Sequence, residues 1–306
     1  MRIICKCILA IILILPVYSC SNKTASQPIE LKVMSFNIWL GAKKSIPATA
    51  QVLIESKADI VGIQEANRDG KDIAVYLADS IGWYSYSSGG SPTIVSRYPI
   101  VDTSANKNGV KIKIDESHSV WMFNVHLMYC PYEPYQLNGI EYCGGPILQT
   151  AEEAVESAIK SRSEAVNSVI ADILEVQKEG YPIFLTGDFN EPSCLDWTAK
   201  AVEAGLCKIP VVWPSTKAFI DKGGMQDSYR LSYPDEVSKP GHTWTTLPEV
   251  ETYTEVLDRI DFVMFRGDKI KLINSQVVGE KSVKSDIGFD NYPSDHRAVL
   301  STFTLE

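Results

Sequence analysis

Apolar runs in this chain keep ending on the same kind of residue. Val33-Met34-Ser35-Phe36 is closed by Asn37, and Ile60-Val61-Gly62-Ile63-Gln64 by Glu65. Phe123-Asn124-Val125 leads to His126, and Ile183-Phe184-Leu185-Thr186-Gly187 leads to Asp188 and then Asn190. Asp261 lies within Leu257-Asp258-Arg259-Ile260-Asp261-Phe262-Val263, while Asp295 and His296 precede Ala298-Val299-Leu300. Any one of these alone reads as a cap or a buried polar group with a partner. Eight acids, amides and histidines in such places suggest convergence on one site. That is more charge than a fold buries without a cation to offset it.

Composition narrows the class. With 45% hydrophobic and 22% charged residues over 306 positions, the chain is not disordered, collagen-like or a polytopic membrane protein. Its 29 basic against 38 acidic residues give a net charge of −9, which leaves no broad basic face for nucleic acid. An anionic substrate must therefore be held by local chemistry, a metal first of all.

The pattern predicts strands at Leu31–Ile38, Asp59–Gln64, Thr93–Ser96, Val110–Ile114, Val120–Leu127 and Pro182–Thr186. Further strands are expected at Ile260–Phe265, Ile270–Val278 and Ala298–Phe303. Helical periodicity covers Pro47–Lys57, Asp72–Ser80 and a long stretch from Ile147 to Lys178, stopped by Gly180. Strands and helices mix without strict alternation, and no Gly-rich dinucleotide turn occurs. The expected class is α+β, with packed sheets and outer helices, and residues 29–306 as one domain.

Residues 1–19 read as an export signal. Arg2 and Lys6 precede the apolar run Ile8–Leu15, which is too short to span a bilayer. Val17-Tyr18-Ser19-Cys20 resembles a bacterial lipoprotein cleavage site, with cleavage before a lipidated Cys20 and a polar tether over residues 20–28. The competing reading is a plain secretory signal in which Cys20 is incidental. Under the first, the protein is lipid-anchored in the cell envelope, on the periplasmic or outer-membrane side. Outside the cytosol, Cys130 with Cys143 and Cys194 with Cys207 are expected as local disulfides, each spaced by thirteen residues. A zinc site is the weaker alternative, since no Cys-x-x-Cys occurs.

Phosphoester cleavage fits the eight polar residues. The substrate is anionic and repels hydroxide, so a hard cation must neutralise it. Carboxylate and amide oxygens suit Mg²⁺ or Mn²⁺ better than Zn²⁺. A carboxylate can deprotonate a water, and an Asp–His pair supplies a tuned acid or base.

The ordered set Ser35-Phe36-Asn37, Gln64-Glu65, Ser96-Arg97-Tyr98-Pro99-Ile100, Asn124-Val125-His126-Leu127, Gly187-Asp188-Phe189-Asn190, Arg259-Ile260-Asp261-Phe262 and Ser294-Asp295-His296 resembles the endonuclease/exonuclease/phosphatase superfamily. The resemblance spans residues 35 to 296. It implies a four-layer α/β sandwich, two face-to-face and mainly antiparallel sheets flanked by helices. It also implies roles: Glu65 as principal metal ligand, with Asn37 and Asp295 completing the metal and phosphate shell. Asp188 would orient or deprotonate the attacking water, and Asn190 would hold phosphate and water. His126 would donate to a non-bridging oxygen, and His296, held by Asp261, would be the acid–base imidazole.

Other polar residues read as structural. His118 belongs to a solvated hairpin, Arg97 and Tyr98 to a supporting segment, and Asp227 with Arg230 to an ion pair. Asp258 is expected on backbone or Arg259; the His242 loop is expected to border the cleft, with a ligand role for His242 the less favoured alternative. Substrate choice falls to Met128–Pro146, which follows His126 and carries Tyr129, Tyr132, Tyr135 and Tyr142. Those rings suit a base, a sugar or a lipid surface, or pack the loop on itself; Lys43, Lys44 and Arg68 offer local phosphate contacts. Three functions compete: an envelope phosphoesterase on a small or lipid-derived phosphoester, a secreted nuclease for which nucleic acid is only substrate, and a non-catalytic binding lipoprotein. In each case the expected state is a monomer.

Overall fold

The computed structural model describes residues 28–89, 91–247 and 254–306. The expectations about the export signal, Cys20 and the tether up to residue 27 lie outside them. Among the described residues no helix is long and apolar enough to cross a membrane.

The chain begins with β1 (Ile29–Asn37), the turn α1 (Trp39–Ala42), α2 (Ile46–Glu55) and β2 (Ile60–Gln64). A small hairpin of β3 (Asn67–Arg68) and β4 (Lys71–Asp72) leads into α3 (Ile73–Ile81). Strands β5 (Tyr84–Ser87), β6 (Thr93–Ser96), β7 (Ile100–Thr103), β8 (Gly109–Lys113) and β9 (Ser119–His126) follow. Then come α4 (Glu133–Leu137), α5 (Ala151–Val176), β10 (Ile183–Asp188), α6 (Ala199–Glu203) and α7 (Pro214–Asp221). The remainder is β11 (Gln226–Asp227), α8 (Ser228–Ser232), β12 (Asp261–Arg266), β13 (Ile270–Glu280), β14 (Ile287–Phe289) and β15 (Ala298–Leu305).

Two large sheets result. One has the order β14-β13-β15-β1-β2-β6-β5 and the other β11-β12-β10-β9-β8-β7. Most neighbours are antiparallel; the short edge strand β14 runs parallel to β13, and near the sheet centres β1 with β2 and β9 with β10 are parallel. Parallel neighbours need a crossover, and α2 and α5 lie in those two connections. Alternation along each strand then decides what faces what. Leu31 and Val33 of β1, Val120 and Met122 of β9, Phe184 of β10 and Val263 of β12 form one cluster between the sheets. Met34 and Phe36 point the other way, onto Leu53 of α2 and Leu77 of α3. Phe123 and Leu185 likewise meet Val169 and Ile173 of α5 and Phe219 of α7. The layers are helix, sheet, sheet, helix, as the sequence resemblance implies.

The long helix is shorter than its periodic stretch because its ends are chemically marked. Thr150 caps the Glu153 amide while the Glu153 side chain reaches back, a capping box that starts the helix at Ala151. Residues Gln177–Glu179 tighten to a 3₁₀ turn before the left-handed Gly180.

The inward faces also explain why a polar site can exist at all. Towards one end of the strands the buried apolar series gives way to Ser35, Gln64, Asn124 and Thr186. Gln64 Nε2 donates to Asn124 Oδ1 at 2.6 Å and to Ser35 Oγ at 3.3 Å. Thr186 Oγ1 donates to Asn124 Oδ1 at 3.1 Å, and Asn124 Nδ2 donates to the carbonyls of Ile63 and Thr93. This network ties the sheets together across a spot where only a glycine fits: a Cβ on Gly62 would collide with Thr186 Oγ1 and Asn124 Oδ1.

Candidate active site

Beyond that network the strands present their charged ends. In the six-stranded sheet Asp188 is in register with His126 on one side and Asp261 on the other, so three neighbouring strands align three of the expected residues. From the facing sheet, Asn37 ends β1 and Glu65 immediately follows β2. Ser294, Asp295 and His296 lead into β15 and close the group. The Ser294 hydroxyl donates to the Asn37 carbonyl at 2.6 Å, and its oxygen accepts the His296 amide at 3.1 Å.

Asn37 is the hinge between two carboxylates. Its Nδ2 donates to Asp188 Oδ2 at 2.9 Å and to Glu65 Oε1 at 3.2 Å, while its Oδ1 accepts the Trp39 amide at 3.0 Å. Glu65 itself has φ +54°, in the left-handed region that costs a branched or long residue about 1–2 kcal/mol. The cost is offset locally. Residues Trp39, Leu40, Gly41 and Ala42 form a left-handed turn, with φ of 56, 47, 66 and 55°. That turn aims the Leu40 amide at Glu65 Oε2 and the Gly41 amide at the Glu65 carbonyl, each at 2.7 Å. Gly41 is required there, because a Cβ would strike Cβ of Arg68.

Asp295 is 7% exposed, and its nearest side-chain donor, Ser294 Oγ, lies 3.4 Å away. Burial pushes its pKa up to about 6; His296 opposes this and Glu65 adds to it. Among the described residues neither Glu65 nor Asp295 takes part in an ion pair. Two neighbouring carboxylates without a cation of their own suit a hard divalent ion.

Beside them Asp188, Asp261 and His296 bring one ligand-type atom each within 4.8 Å of one another. His296 Nδ1 is 3.0 Å from Asp261 Oδ2, and its Nε2 is 3.8 Å from Asp188 Oδ2. Burial disfavours the imidazolium, but Asp261 and then Asp188 outweigh it and raise the pKa to about 10. The pair is therefore imidazolium and carboxylate at neutral pH. His126 approaches Asp188 from the other side, with Nε2 3.7 Å from Oδ2, and remains partly exposed. Asn190 has φ +48°; its amide donates to Asp188 Oδ1 at 2.9 Å and its Nδ2 to the Leu127 carbonyl at 3.1 Å. All eight expected residues thus gather at one end of the sandwich.

One contributor was absent from the sequence reading. Trp244 packs its ring on His296, centroids 4.9 Å apart, and its loop laces the site together. Thr243 Oγ1 accepts the amides of Ile260 and Asp261, and Thr245 Oγ1 donates to the Asp295 carbonyl at 2.9 Å. The Thr243-Trp244-Thr245-Thr246 run between Gly241 and Asp258 was the available signal, since hydroxyls in a loop satisfy backbone elsewhere.

Several structural expectations need correction. Asp227 does not pair with the Arg230 side chain: it accepts the Tyr229 and Arg230 amides and pairs with Arg259 at 2.8 Å. The Arg230 guanidinium instead meets Asp196 at 2.6 Å, because the capping geometry of Asp227 turns it away. Asp258 is not on Arg259 but accepts Tyr132 Oη and Trp197 Nε1, both at 2.8 Å, and burial raises it to about 7. Cys130 and Cys143 form the expected disulfide, with Cα atoms 6.0 Å apart. Cys194 and Cys207 remain thiols. Helix α6 lies between them, Cys194 turns to Thr216, and Cys207 packs among Trp197, Trp213 and their neighbours. His118 sits on Asp115 at 2.9 Å, as a hairpin residue should. Burial, reinforced by Lys284 and Arg297, lowers His242 to about 4, and it joins none of the groups above.

The segment after His126 is held by a buried arginine. Arg162 of α5 donates to the carbonyls of Met128 and Pro131 and pairs with Glu133 at 2.8 Å. Glu191 lies 3.8 Å from the same guanidinium, and burial raises its pKa to about 7 despite Arg162. Arg162→Met should lower unfolding stability by about 3–5 kcal/mol, because two buried carboxylates lose their countercharge. Urea unfolding followed by circular dichroism measures it; a loss below 1 kcal/mol would show that the clamp is dispensable.

The chain is similar to known proteins in sequence and in fold. The model of the Endonuclease/Exonuclease/phosphatase family covers residues 34–296. An uncharacterized protein of Caenorhabditis elegans is 26% identical over 317 residues, covering 96% of this chain and 98% of its own. A family protein from Bacteroides vulgatus shares the fold at 16% identity and a TM-score of 0.57, over 91% of this chain and 100% of that one. D. rerio TDP2 complexed with a single-strand DNA product aligns at 16% identity and a TM-score of 0.53, over 90% of this chain and 98% of that one.

Proposed function

The chain belongs to the endonuclease/exonuclease/phosphatase family and is a divalent-metal-dependent phosphoester hydrolase, and from that premise we propose that it acts in the cell envelope on a small or lipid-derived phosphoester. The observation that carries the reading is the meeting of Glu65 and Asp295, without cations of their own, with the Asp188 and His296–Asp261 groups. Glu65 and Asp295 would hold the ion, with Asn37 orienting Glu65; Mg²⁺ or Mn²⁺ suits these oxygens best. When bound, such an ion neutralises the phosphoryl oxygens and stabilises the charge that develops on them.

The chain's own residues do the rest. Asp188, fixed by the Asn37 amide and by the Asn190 backbone, would orient a water and take its proton. His126, at the partly exposed edge, would donate to a phosphoryl oxygen. His296 enters as the charged imidazolium and can stabilise an oxyanion or give its proton to a departing alkoxide. Trp244 covers its ring and limits water there.

A nuclease activity is the second reading, favoured by the resemblance in fold to a protein seen with a single-strand DNA product. The net charge of −9 weighs against it, since nucleic-acid affinity is built on phosphate neutralisation. An activity panel at fixed Mg²⁺ separates the two, setting plasmid DNA, RNA, sphingomyelin, inositol phosphates and nitrophenyl mono- and diesters side by side. Faster turnover of DNA or RNA than of every small ester overturns the first reading.

Envelope anchoring rests on Val17-Tyr18-Ser19-Cys20. Two or three acyl chains on Cys20 would hold the protein firmly, as each buried methylene contributes about 0.8 kcal/mol. Cys20→Ala should move the protein from the membrane pellet to the soluble fraction; a mutant that stays in the pellet argues against lipidation.

A further inference from the structure

A cavity of about 230 Å³ adjoins the catalytic group and shares Asn190 with it. Its walls are aromatic: Tyr129, Tyr132, Tyr135, Tyr142 and Trp244. Trp244 is the ring that covers His296, so whatever fills the cavity sits next to the phosphoryl position.

The chemistry of these walls selects among occupants. Among the described residues no lysine or arginine lines the cavity, so a second phosphate would find no countercharge. A flat base is best gripped between parallel rings, but Tyr132 meets Tyr135 at 89° and Tyr135 meets Tyr142 at 89°, centroids 4.8 and 5.4 Å apart. Rings at right angles make the corner of a box. A sugar needs several hydroxyl partners, and here the polar groups are committed. Tyr132 donates to Asp258, Tyr135 to Glu255 at 2.5 Å, and the Trp244 indole to Glu255 at 3.1 Å.

Those hydrogen bonds matter electrostatically. At pH 8, above the raised pKa of Asp258, each runs from an aromatic ring to a carboxylate, which makes the ring richer in electrons and its face more attractive to a cation. Among the described residues Asp258 and Glu255 form no ion pair. A box of aromatic faces backed by acids is what a compact, weakly hydrated cation requires.

We infer that this cavity binds an alkylammonium group, quaternary ammonium best, carried by the phosphoester substrate. The inference rests on the hydrolase reading for its place in turnover, but the binding itself does not. The test therefore begins in excess chelator, titrating the full chain calorimetrically with choline, its neutral isostere 3,3-dimethyl-1-butanol, and adenosine. Choline should bind at least tenfold tighter than either. Tyr129→Ala, which removes a half-exposed wall, should weaken choline at least fivefold and leave hydrolysis of 4-nitrophenyl phosphate unchanged. Equal affinity for the neutral isostere, or tighter binding of adenosine, would overturn the assignment.

A second arm compares 4-nitrophenyl phosphorylcholine with ethyl 4-nitrophenyl phosphate in Mg²⁺. A kcat/KM preference of tenfold or more for the choline ester, lost in Tyr129→Ala, supports the cavity as a substrate subsite. Turnover of the ethyl ester without choline binding rejects the subsite and leaves the hydrolase reading intact. Choline binding with no turnover of either ester supports the cavity and rejects the hydrolase reading instead.

Discussion

Glu65→Gln should reduce phosphoester turnover to background at any Mg²⁺ concentration, while the fold persists. The amide keeps the shape, but its single oxygen can accept only one of the two hydrogen bonds that the Glu65 carboxylate takes from the Leu40 amide and Asn37 Nδ2, so a modest loss of stability accompanies the substitution. What it loses is the formal charge, and a neutral amide is a poor partner for a hard divalent ion. Losing a group that merely orients a ligand costs metal affinity roughly 10–100-fold, and losing the ligand itself should cost more. Calorimetric titration with Mn²⁺ reads this apart from activity. Asp295 also predicts a secondary signature. Its raised pKa owes most to burial, with Glu65 as the acid that adds to it, so the substitution should let Asp295 ionise at lower pH. Wild-type Mn²⁺ affinity in Glu65→Gln, or full turnover of wild type in excess chelator, would remove Glu65 from the metal shell. Chelation should leave the thermal transition cooperative, because the sheets are joined by the Gln64–Asn124–Thr186 network rather than by an ion.

What could be read from the sequence, and what could not, divides along one physical line. The central strands announce themselves because they are buried over most of their length, so β1, β2, β9, β10, β12 and β15 each carry a buried apolar run beside which the polar residues stand out. Besides the two-residue strands β3 and β4, the strands that escaped are the edges: β5 and β14 of one sheet, β7 and β11 of the other. Tyr84-Ser85-Tyr86-Ser87 and Ile100-Val101-Asp102-Thr103 are largely or partly exposed, and an edge strand carries no apolar run to betray it. Between Asn190 and Leu257 the short helices α6, α7 and α8 were equally silent, being too brief to show a period. The site residues were legible because charge at the end of a buried strand needs a reason. Trp244 was not, because an aromatic in a loop reads as packing until the His296 ring is found against it. The second cysteine pair failed for a related cause. A spacing of thirteen residues says nothing about whether an intervening helix turns the two side chains towards different neighbours.

The Asp261–His296 pair carries the other large effect. His296→Ala should lower kcat by roughly 10²–10⁴, the range for a general acid–base group, with circular dichroism unchanged. The reason lies in how the ring is held. Nδ1 is engaged by Asp261 at 3.0 Å, Trp244 packs against the ring, and Nε2 is left facing Asp188 and the site. Asp261 is fully buried, so its carboxylate is tolerated only because the imidazolium sits beside it, and the imidazolium only because of the carboxylate. Asp261→Asn keeps a hydrogen-bonding group against the ring but removes the charge that favours protonation, so its loss should be smaller than that of His296→Ala. In the double mutant the aspartate has nothing left to position. Its kcat should therefore match His296→Ala within about twofold rather than show the product of the two losses, as expected for residues acting as one unit. A Tyr132→Phe control, which touches Asp258 and not this pair, should combine multiplicatively with His296→Ala, since its partner is elsewhere. If the Asp261 and His296 losses instead multiply in full, the two side chains act separately, and the 3.0 Å contact between them is not what readies the imidazole.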